Sequence, residues 1–274
     1  MYKKILSFSV FLLFVSCDLF DYHPYDGKID FGLGKDENIR NIPLIESACH
    51  RKDTIRFVWF GDSGRSLDEL ELFVKHINQK DSIDFGIHAG DLVEFGTTKE
   101  YEWGQEILSK LHFPYVVIIG NHDIIANGDK IYEKMFGPQN FSFIAQDILF
   151  LCLNTNAIEY DYSNPIPDFS FIKETLEYGD VNSEYPRFRR TVVAMHAPPQ
   201  NEQFNNNVAD IFQEKIKEFP ALQFCLHGHT HNYKGPIYFF EDEIPYYCCD
   251  NMGKRSYLLF TITPDSYTHE RIYF

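Results

Sequence analysis

Residues able to bind metal ions follow apolar segments in this chain of 274 residues. The segment Val116–Ile119 leads directly into the sequence GNHD at positions 120–123. A run of β-branched apolar residues predicts a strand that is buried on both faces. Polar side chains at the end of such a strand lose free energy unless they find partners. The amide, the imidazole and the carboxylate of GNHD therefore either cap one another or meet a ligand beyond the strand end.

The same arrangement occurs at five places along the chain. The apolar segments IRFVWF, DFGIHA, YVVII, TVVAM and ALQFCL lead into, respectively, Asp62, Asp91, Asn121, His196, and the pair His229 and His231. Ligands of open α/β sheets bind beyond the carboxyl ends of the strands. Positions two apart in an extended segment point to the same side, so His229 and His231 can face one site, each on a neighbouring ion. We therefore predict that the six side chains converge.

These six side chains form a ligand set of two carboxylates, one amide and three imidazoles. A mixture of hard and borderline ligands of this kind suits Mn, Fe or Zn. One bridging carboxylate can hold two ions about 3.5–4 Å apart. The sequence thus predicts a centre of two divalent or mixed-valence metal ions.

Each motif also has a simpler interpretation when it is considered alone. The sequence GDSG at 61–64 is ordinary turn chemistry, GDLVE at 90–94 is compatible with a strand exit or a helix cap, and His196 is compatible with a core histidine whose hydrogen bonds are satisfied. GNHD, and even more GHTH at 228–231, are more specific. It is the order of all five motifs, each directly after a predicted strand, that favours a metal centre.

The elements that must position these residues alternate along the chain. Helical patterns occur between the apolar segments, near 66–79, 98–110 and 207–219. Strands that alternate with helices predict an α/β domain with a largely parallel sheet. Further short apolar runs, near 141–153, 236–240, 244–249, 256–263 and 267–274, predict added strands, some of them antiparallel, in a second sheet. We therefore expect residues 54–274 to form a sandwich of two sheets with helices outside.

The N-terminal residues predict export. Lys3 and Lys4 precede the apolar run Ile5–Val15, which is too short to span a bilayer and has the length of a signal-peptide core. A small residue followed by Cys17 is typical of a bacterial lipoprotein signal, in which the cysteine carries the lipid. We predict a lipoprotein signal peptide at residues 1–17 and a membrane-anchored protein in the periplasm or on the cell surface. A plain secretory signal and an uncleaved anchor are the alternatives.

Residues 18–53 are polar, charged and aperiodic, which predicts a tether between the anchor and the domain. Beyond Cys17 the chain has five cysteines, without CxxC spacing and without the pattern of a disulfide framework. Cys152 and Cys225 lie in apolar runs, so we expect them in the core.

The charge of the chain bears on its partners. The formal net charge is −15, from 40 acidic and 25 basic residues. This balance disfavours non-specific binding to nucleic acid, where cationic side chains must replace counterions. A small anionic substrate stays compatible, because bound dications reverse the local field. The oligomeric state does not follow from these data.

The ordered motifs GD…GD…GNHD…H…GHTH resemble the signature of the calcineurin-like metallophosphoesterases, from Ile55 to about His231. The first motif, Asp62-Ser63-Gly64, is closer to the D-x-G of the purple acid phosphatase branch than to the commoner D-x-H, and VAMH at 193–196 is similar to V-x-x-H of that branch. The resemblance implies a four-layer αββα sandwich and metal-dependent hydrolysis of phosphate esters. Neither H-E-x-x-H nor H-x-H-x-D-H occurs, which argues against zincins and metallo-β-lactamases.

The resemblance also implies a role for each motif residue. The first metal ion would be bound by Asp62 and His231, the second by Asn121, His196 and His229, and Asp91 would bridge the two. His122 would meet the leaving group as an acid or hydrogen-bond donor, and Asp123 would orient and stabilise that imidazole.

Two departures from the family pattern concern the first metal site. Gly64 supplies no imidazole, and Glu94 stands where purple acid phosphatases have a tyrosine ligand. We therefore predict a colourless protein whose first site has fewer protein ligands or is completed by Glu94 or water; a solvated rim carboxylate is the alternative for Glu94. The missing imidazole leaves a second function open, a non-catalytic metal-binding surface lipoprotein with a degraded phosphoesterase site.

Basic residues near the motifs are candidates for substrate binding. Arg65 follows the first motif directly, and there it either contacts a phosphate oxygen or is a surface arginine that begins a helix. Lys254 and Arg255 have the same two interpretations.

Overall fold

The computed structural model describes residues 35–160, 163–184 and 186–274, with six α-helices and ten β-strands. In chain order these are α1 (Glu37–Cys49), β1 (Ile55–Phe60), α2 (Leu67–Ile77), β2 (Phe85–His88), α3 (Thr98–Leu108), β3 (Tyr115–Val117), α4 (Gly128–Met135), β4 (Phe141–Ala145), β5 (Ile148–Leu153), α5 (Phe169–Tyr178), β6 (Arg190–Met195), α6 (Ala209–Lys217), β7 (Leu222–His227), β8 (Tyr246–Cys248), β9 (Ser256–Ile262) and β10 (Tyr267–Tyr273). The predicted signal peptide and Cys17 lie outside the described residues.

The ten strands form two mixed sheets of five strands each. The first sheet has the order β10-β9-β1-β2-β3; β1, β2 and β3 are parallel, β9 is antiparallel to β1, and β10 is antiparallel to β9. The second sheet has the order β4-β5-β6-β7-β8, in which only the pair β4 and β5 is antiparallel. The predicted α/β fold with two mixed sheets is confirmed.

The sheets stack face to face because their strands are apolar on both sides. In β1, Phe57 and Trp59 belong to the core between the sheets, whereas Val58 and Phe60 pack under helices α2, α3 and α4. The Phe57 ring lies 5.3 Å, edge to face, from the ring of Phe150 on the second sheet. Helices α5 and α6 cover the outer face of the second sheet. These are the four layers of an αββα sandwich.

The distribution of strands between the sheets differs from the prediction. Strands β6 and β7 lie in the second sheet rather than beside β1–β3, and β9 and β10 extend the first sheet. The range 236–240 forms no strand, and Ile237 makes only an isolated bridge with Tyr246. A strand that is buried on both faces has the same sequence pattern in either sheet, so the local sequence does not decide which sheet it joins.

The tether prediction for residues 18–53 is wrong where helix α1 lies. Ile45 and Cys49 of this helix are fully buried in the core between the sheets. Pro43 lies inside the helix, at a place where proline removes one backbone hydrogen bond, and this hides the helical pattern in the sequence. Part of the predicted tether is therefore a structural part of the domain.

Helix α1 covers the open edge of the first sheet with two asparagines. The Asn38 side chain donates to the Val117 carbonyl and accepts from the Val117 N–H, both at 2.9 Å. The Asn41 side chain donates to the Tyr115 carbonyl at 2.9 Å. Strand β3 is the last strand of its sheet, so its outer N–H and C=O groups would otherwise stay unpaired.

The cysteines of the described residues are all free and buried. Among the described residues no helix has both the length and the apolar character required to cross a bilayer.

We expect Asn38→Ala to lower the free energy of unfolding by about 2 kcal/mol, because the buried Val117 N–H loses its partner. The Val117 carbonyl keeps the Tyr132 hydroxyl as a donor, so only one group becomes unpaired. Urea denaturation measures the change. The control Asn41→Ala, at a half-buried position, should cost less. An Asn38→Ala protein as stable as the wild type would show that α1 does not protect the edge.

Candidate metal centre

The predicted ligands lie just beyond the carboxyl ends of strands from both sheets. Asp62, Asp91 and Asn121 follow β1, β2 and β3 of the first sheet. His196 follows β6 directly, and His229 and His231 follow β7, so the second sheet supplies three imidazoles. The site therefore lies across the top of the sandwich, where the two sheets meet.

Two groups of possible ligands share one carboxylate. The first group is Asp62, Asp91 and His231, and the second is Asp91, His196 and His229; within each group the ligand atoms lie within 4.8 Å of one another. Asp91 is the residue in both groups, which is the arrangement that a bridging carboxylate requires.

The distances in the second group bring in the amide of Asn121. Its Oδ1 lies 3.1 Å from His196 Nε2 and 2.9 Å from His229 Nδ1. His196 Nε2 lies 3.3 Å from Asp91 Oδ2. In the first group, His231 Nε2 lies 3.0 Å from Asp62 Oδ1. All six predicted side chains thus converge, although their individual ligand roles stay predictions.

The donor set fits two cations. Asp62 and Asp91 are almost fully buried, and in the described part of the chain neither forms an ion pair with a lysine or an arginine. Buried carboxylates need a compensating positive charge. Carboxylate oxygens, an amide oxygen and imidazole nitrogens together suit Mn, Fe or Zn. The residues present are therefore those that would hold a pair of metal ions.

The electrostatics of the site keep its shared carboxylate ionised. Burial by itself raises the pKa of Asp91, but the charge and hydrogen bond of His196, together with His122, outweigh it and lower the pKa to about 2. For His196, burial by itself lowers the pKa. The charge and hydrogen bond of the Asp91 carboxylate outweigh the effect of burial and raise the pKa of His196 to about 9. Burial lowers the pKa of His229 to about 4, so this imidazole is neutral and has a lone pair to offer.

Four of the six side chains stand on strained backbone. Positive φ angles occur at Asp62 (52°), Asp91 (53°), His229 (63°) and His231 (55°). Each such angle costs a residue other than glycine about 1–3 kcal/mol and persists only where the surroundings hold it. Here the Asp62 N–H donates to the Gly90 carbonyl at 3.0 Å, and the His229 N–H donates to Asp62 Oδ1 at 3.1 Å. The loops hold one another in the conformation that points the ligands inward.

The predicted role of Asp123 as the partner of the His122 imidazole is wrong. Asp123 is fully buried, and its carboxylate accepts the N–H groups of Asp91, Val93 and Gly120 at 2.8 to 3.1 Å. Burial, followed by the charge of Asp91, raises its pKa to about 7. Asp123 therefore stabilises the backbone of the loops that contain Asp91 and Asn121 rather than orienting the His122 imidazole.

The His122 imidazole is held by Glu94. His122 Nδ1 lies 2.9 Å from the Glu94 carbonyl oxygen and 3.7 Å from its carboxylate. Because a carbonyl only accepts, Nδ1 carries the hydrogen, and Nε2 is the atom left for a substrate. The Glu94 carboxylate also pairs with Arg65. Glu94 belongs to neither of the two ligand groups, so this geometry does not support its predicted ligand role.

A cavity of about 190 Å³ opens over the centre. It is lined by Asp62, Asp91, His122 and His231, and also by Glu94 and Arg65. Arg65 has a side chain that is 77% exposed, so it stands at the rim, where contact with a substrate stays a prediction. Lys254 instead donates to the His231 carbonyl at 2.6 Å, and Arg255 pairs with Glu69, which gives both residues structural partners.

Close packing of two backbone segments explains why position 64 is a glycine. A Cβ atom at this position would lie 2.4 Å from the Val93 carbonyl carbon and 2.7 Å from the Glu94 N. No side chain fits there without moving the loop that follows Asp91. The close approach of two backbones therefore excludes the histidine that commoner members of the resembling family have in this motif.

Three residues at the centre were missed at the sequence level. Ser63 and His88 are fully buried, and the Ser63 hydroxyl is hydrogen-bonded to His88 Nε2 at 2.9 Å. Burial lowers the pKa of His88 to about 3. Asn251, which follows β8 in the chain, also lines the cavity. A polar His88 within an apolar strand was a usable signal; nothing in the local sequence marks Asn251.

Residues 55–233 match the family described as Calcineurin-like phosphoesterase. This range is more than half of the chain, and it contains every residue of the two ligand groups. The chain belongs to the calcineurin-like phosphoesterase family.

Two curated proteins align with this chain at low sequence identity. A protein of Nostoc sp. named 3′,5′-cyclic-nucleotide phosphodiesterase is 26% identical over 156 residues, which is 54% of this chain and 56% of that protein. A protein of Ruthia magnifica named probable cyclic nucleotide phosphodiesterase is 25% identical over 149 residues, 52% of this chain and 60% of that protein. The matched region thus spans little more than half the length of these relatives.

Solved structures share the fold at low sequence identity. A dimetal phosphatase from Danio rerio superposes with a TM-score of 0.61 at 9% identity, covering 79% of this chain and 95% of that one. GAP50, the anchor in the inner membrane complex of Plasmodium, superposes with a TM-score of 0.58 at 12% identity, covering 81% and 85%. At this identity the likeness establishes the fold alone.

We expect Asp91→Asn to lose both metal ions, because it removes the charge that the two groups share. Asparagine tolerates a positive φ and can still accept the His122 N–H, so the loop should keep its shape. The matched variant Asp62→Asn should lose at most one ion. Elemental analysis of the purified proteins measures both. Retention of two ions by Asp91→Asn would rule out the shared carboxylate.

We expect Gly64→Ala to destabilise the protein by about 1–3 kcal/mol, because the new methyl group overlaps backbone atoms of Val93. Gly253→Ala is the control: there the nearest atom to a new Cβ is the Ser66 hydroxyl at 3.0 Å, which can rotate away. Urea denaturation compares the two. Equal stabilities would mean that the close approach at Gly64 does not constrain this motif.

Proposed function

We propose that this protein hydrolyses phosphate esters, and among them phosphodiesters, at a centre of two metal ions. The observation that carries the proposal is the Asp91 carboxylate, which belongs to both ligand groups. Two cations, when bound, lower the pKa of water towards neutrality and neutralise the phosphate oxygens that gain charge.

The residues of the chain supply position and proton transfer. Asp91 stays ionised because the neighbouring imidazoles lower its pKa, so it would be the carboxylate that holds both ions. His122 lines the cavity with Nδ1 hydrogen-bonded to the Glu94 carbonyl, so when the imidazole is protonated on both nitrogens, Nε2 is the atom that can give its proton to the leaving oxygen, and the imidazole is then neutral with the hydrogen on Nδ1. Positioning and electrostatic stabilisation are the main requirements of phosphoryl transfer.

The substrate class that we propose is the cyclic nucleotide. Both curated relatives are named as cyclic nucleotide phosphodiesterases, and the aligned regions cover about half of each chain. A cyclic phosphodiester has a single phosphorus and one leaving oxygen that stays attached, a group that a cavity of about 190 Å³ over the centre can accept.

The finer assignments are part of the same proposal. The D-x-G motif at Asp62 favours the purple-acid-phosphatase-like branch, and the absence of a tyrosine three residues after Asp91 predicts a colourless protein. The apolar run Ile5–Val15 before Cys17 favours a lipoprotein that is exported and anchored to the membrane by its lipid. The charge of −15 argues against nucleic acid as a partner.

The test is a panel of esters: an aryl phosphate, its diester and 3′,5′-cyclic adenosine monophosphate, each with Mn²⁺ and with a chelator. We expect metal-dependent hydrolysis that includes the diesters. His122→Asn should lower kcat by about 10²–10⁴-fold, the usual contribution of a general acid, while two ions remain bound. The matched control His112→Asn, at an exposed position away from the cavity, should keep wild-type kcat.

Two outcomes would overturn the proposal. A protein with two bound ions that hydrolyses none of the three esters would be the non-catalytic metal-binding alternative. A His122→Asn protein with unchanged kcat would exclude His122 as the acid.

A further inference from the structure

Two side chains of opposite charge form an ion pair at the rim of the cavity over the metal centre. Arg65 lies in the loop after β1, and Glu94 lies in the loop after β2. The backbones of these two loops are in direct contact, since a Cβ atom at Gly64 would lie 2.7 Å from the Glu94 N. The ion pair therefore joins the two loops that carry the carboxylates of the candidate metal centre.

The two members of the pair differ in how firmly the protein holds them. The Glu94 side chain is only 13% exposed, whereas the Arg65 side chain is 77% exposed. The segment after Glu94 is also fixed, because the N–H groups of Phe95 and Thr97 both donate to the Glu100 carboxylate, at 3.2 and 3.1 Å. Glu94 is therefore the fixed member of the pair, and its carboxylate determines where the guanidinium lies.

The pair leaves no uncompensated lysine or arginine charge at this cavity, as far as the described residues show. Arg65 is the one lysine or arginine among the described residues that line it. Asp62 and Asp91 belong to the ligand groups, so bound cations would balance their charges, whereas Glu94 belongs to neither group. The Glu94 carboxylate therefore neutralises the guanidinium charge that a phosphate ligand would otherwise meet.

Phosphate monoesters and diesters differ by one charge, and this difference makes the ion pair relevant to the choice of substrate. The second ionisation of a monoester has a pKa of about 6, so a monoester is close to a dianion at neutral pH, whereas a diester is a monoanion. A free guanidinium would favour the dianion twice as strongly, because the interaction energy is proportional to the charge of the ligand. A guanidinium that is already paired with a carboxylate provides no such preference.

We propose that the ion pair of Glu94 and Arg65 determines the choice between the two classes of ester. By neutralising Arg65, Glu94 disfavours dianionic phosphate monoesters relative to monoanionic phosphodiesters. The inference rests on the proposed function and deepens it, because it names the residues that select the ester class. The carbonyl that accepts from His122 belongs to the Glu94 backbone, so a substitution of the side chain leaves that contact in place.

The test compares methyl phosphate with dimethyl phosphate, two ligands that differ by one methyl group and one charge. Binding to the Zn²⁺-loaded protein is measured by ³¹P NMR titration at about pH 8, where methyl phosphate is the dianion. Glu94→Gln leaves a free guanidinium, and we expect it to bind methyl phosphate about tenfold and dimethyl phosphate about threefold more tightly than the wild type. Arg65→Gln leaves a free carboxylate and should weaken the two ligands by the same factors.

The double variant Glu94→Gln/Arg65→Gln separates an effect of charge from a structural effect. It removes both charges, so the net charge at the rim equals that of the wild type, and both affinities should return to within about twofold of the wild-type values. A purely structural role would leave the double variant at least as impaired as the single variants. Glu102→Gln is the matched control: the Glu102 side chain is also 13% exposed and pairs with Lys99, but it does not line the cavity, so binding should not change.

In the ester panel, Glu94→Gln should raise the ratio of kcat/KM for the aryl phosphate to that for its diester by about threefold. Equal changes for both ligands in Glu94→Gln, or a double variant that keeps the preference of either single variant, would overturn the inference. A protein that shows the expected shifts in binding but hydrolyses no ester would support the role of the ion pair and overturn the proposed function. Hydrolysis of esters with the same ratio in Glu94→Gln as in the wild type would do the reverse.

Discussion

The structure depends on a single constraint, which is that one buried carboxylate must serve two groups of ligands. Asp91 lies within reach of Asp62 and His231 on one side and of His196 and His229 on the other. Its loop is held by Asp123, whose buried carboxylate binds the N–H groups of Asp91, Val93 and Gly120. The motif GNHD therefore does more than supply an amide and an imidazole. Its aspartate holds the neighbouring loop in place.

The two-sheet architecture is what brings both groups of ligands to the Asp91 carboxylate. The first sheet brings the carboxylates and the amide to the top of the sandwich, and the second sheet brings three imidazoles. The ligand loops cost backbone strain at Asp62, Asp91, His229 and His231. A core in which phenylalanine rings of the two sheets pack edge to face keeps the two halves in register, so that this strain is held rather than relaxed. Stability in the core and geometry at the site are thus coupled.

The segment 228–231 borders two cavities. His231 lines the cavity over the candidate metal centre, and Thr230 lines a second cavity of about 240 Å³. Neighbouring residues of one short loop therefore contribute to both cavities.

The sequence by itself determined the fold class and the six side chains that converge. Buried strands appear in the sequence as apolar runs, so the strand ends and the order of the motifs that follow them can be located from local sequence alone. It did not determine which sheet received β6 and β7, nor that α1 covers the edge of β3, since both depend on contacts between distant residues. The partner of His122 was also decided only in three dimensions: Asp123 is its neighbour in the chain, but Glu94 is its neighbour in space. Likewise, no local pattern marks the unpaired nitrogen of His227, because whether an atom has a partner is a property of the assembled fold.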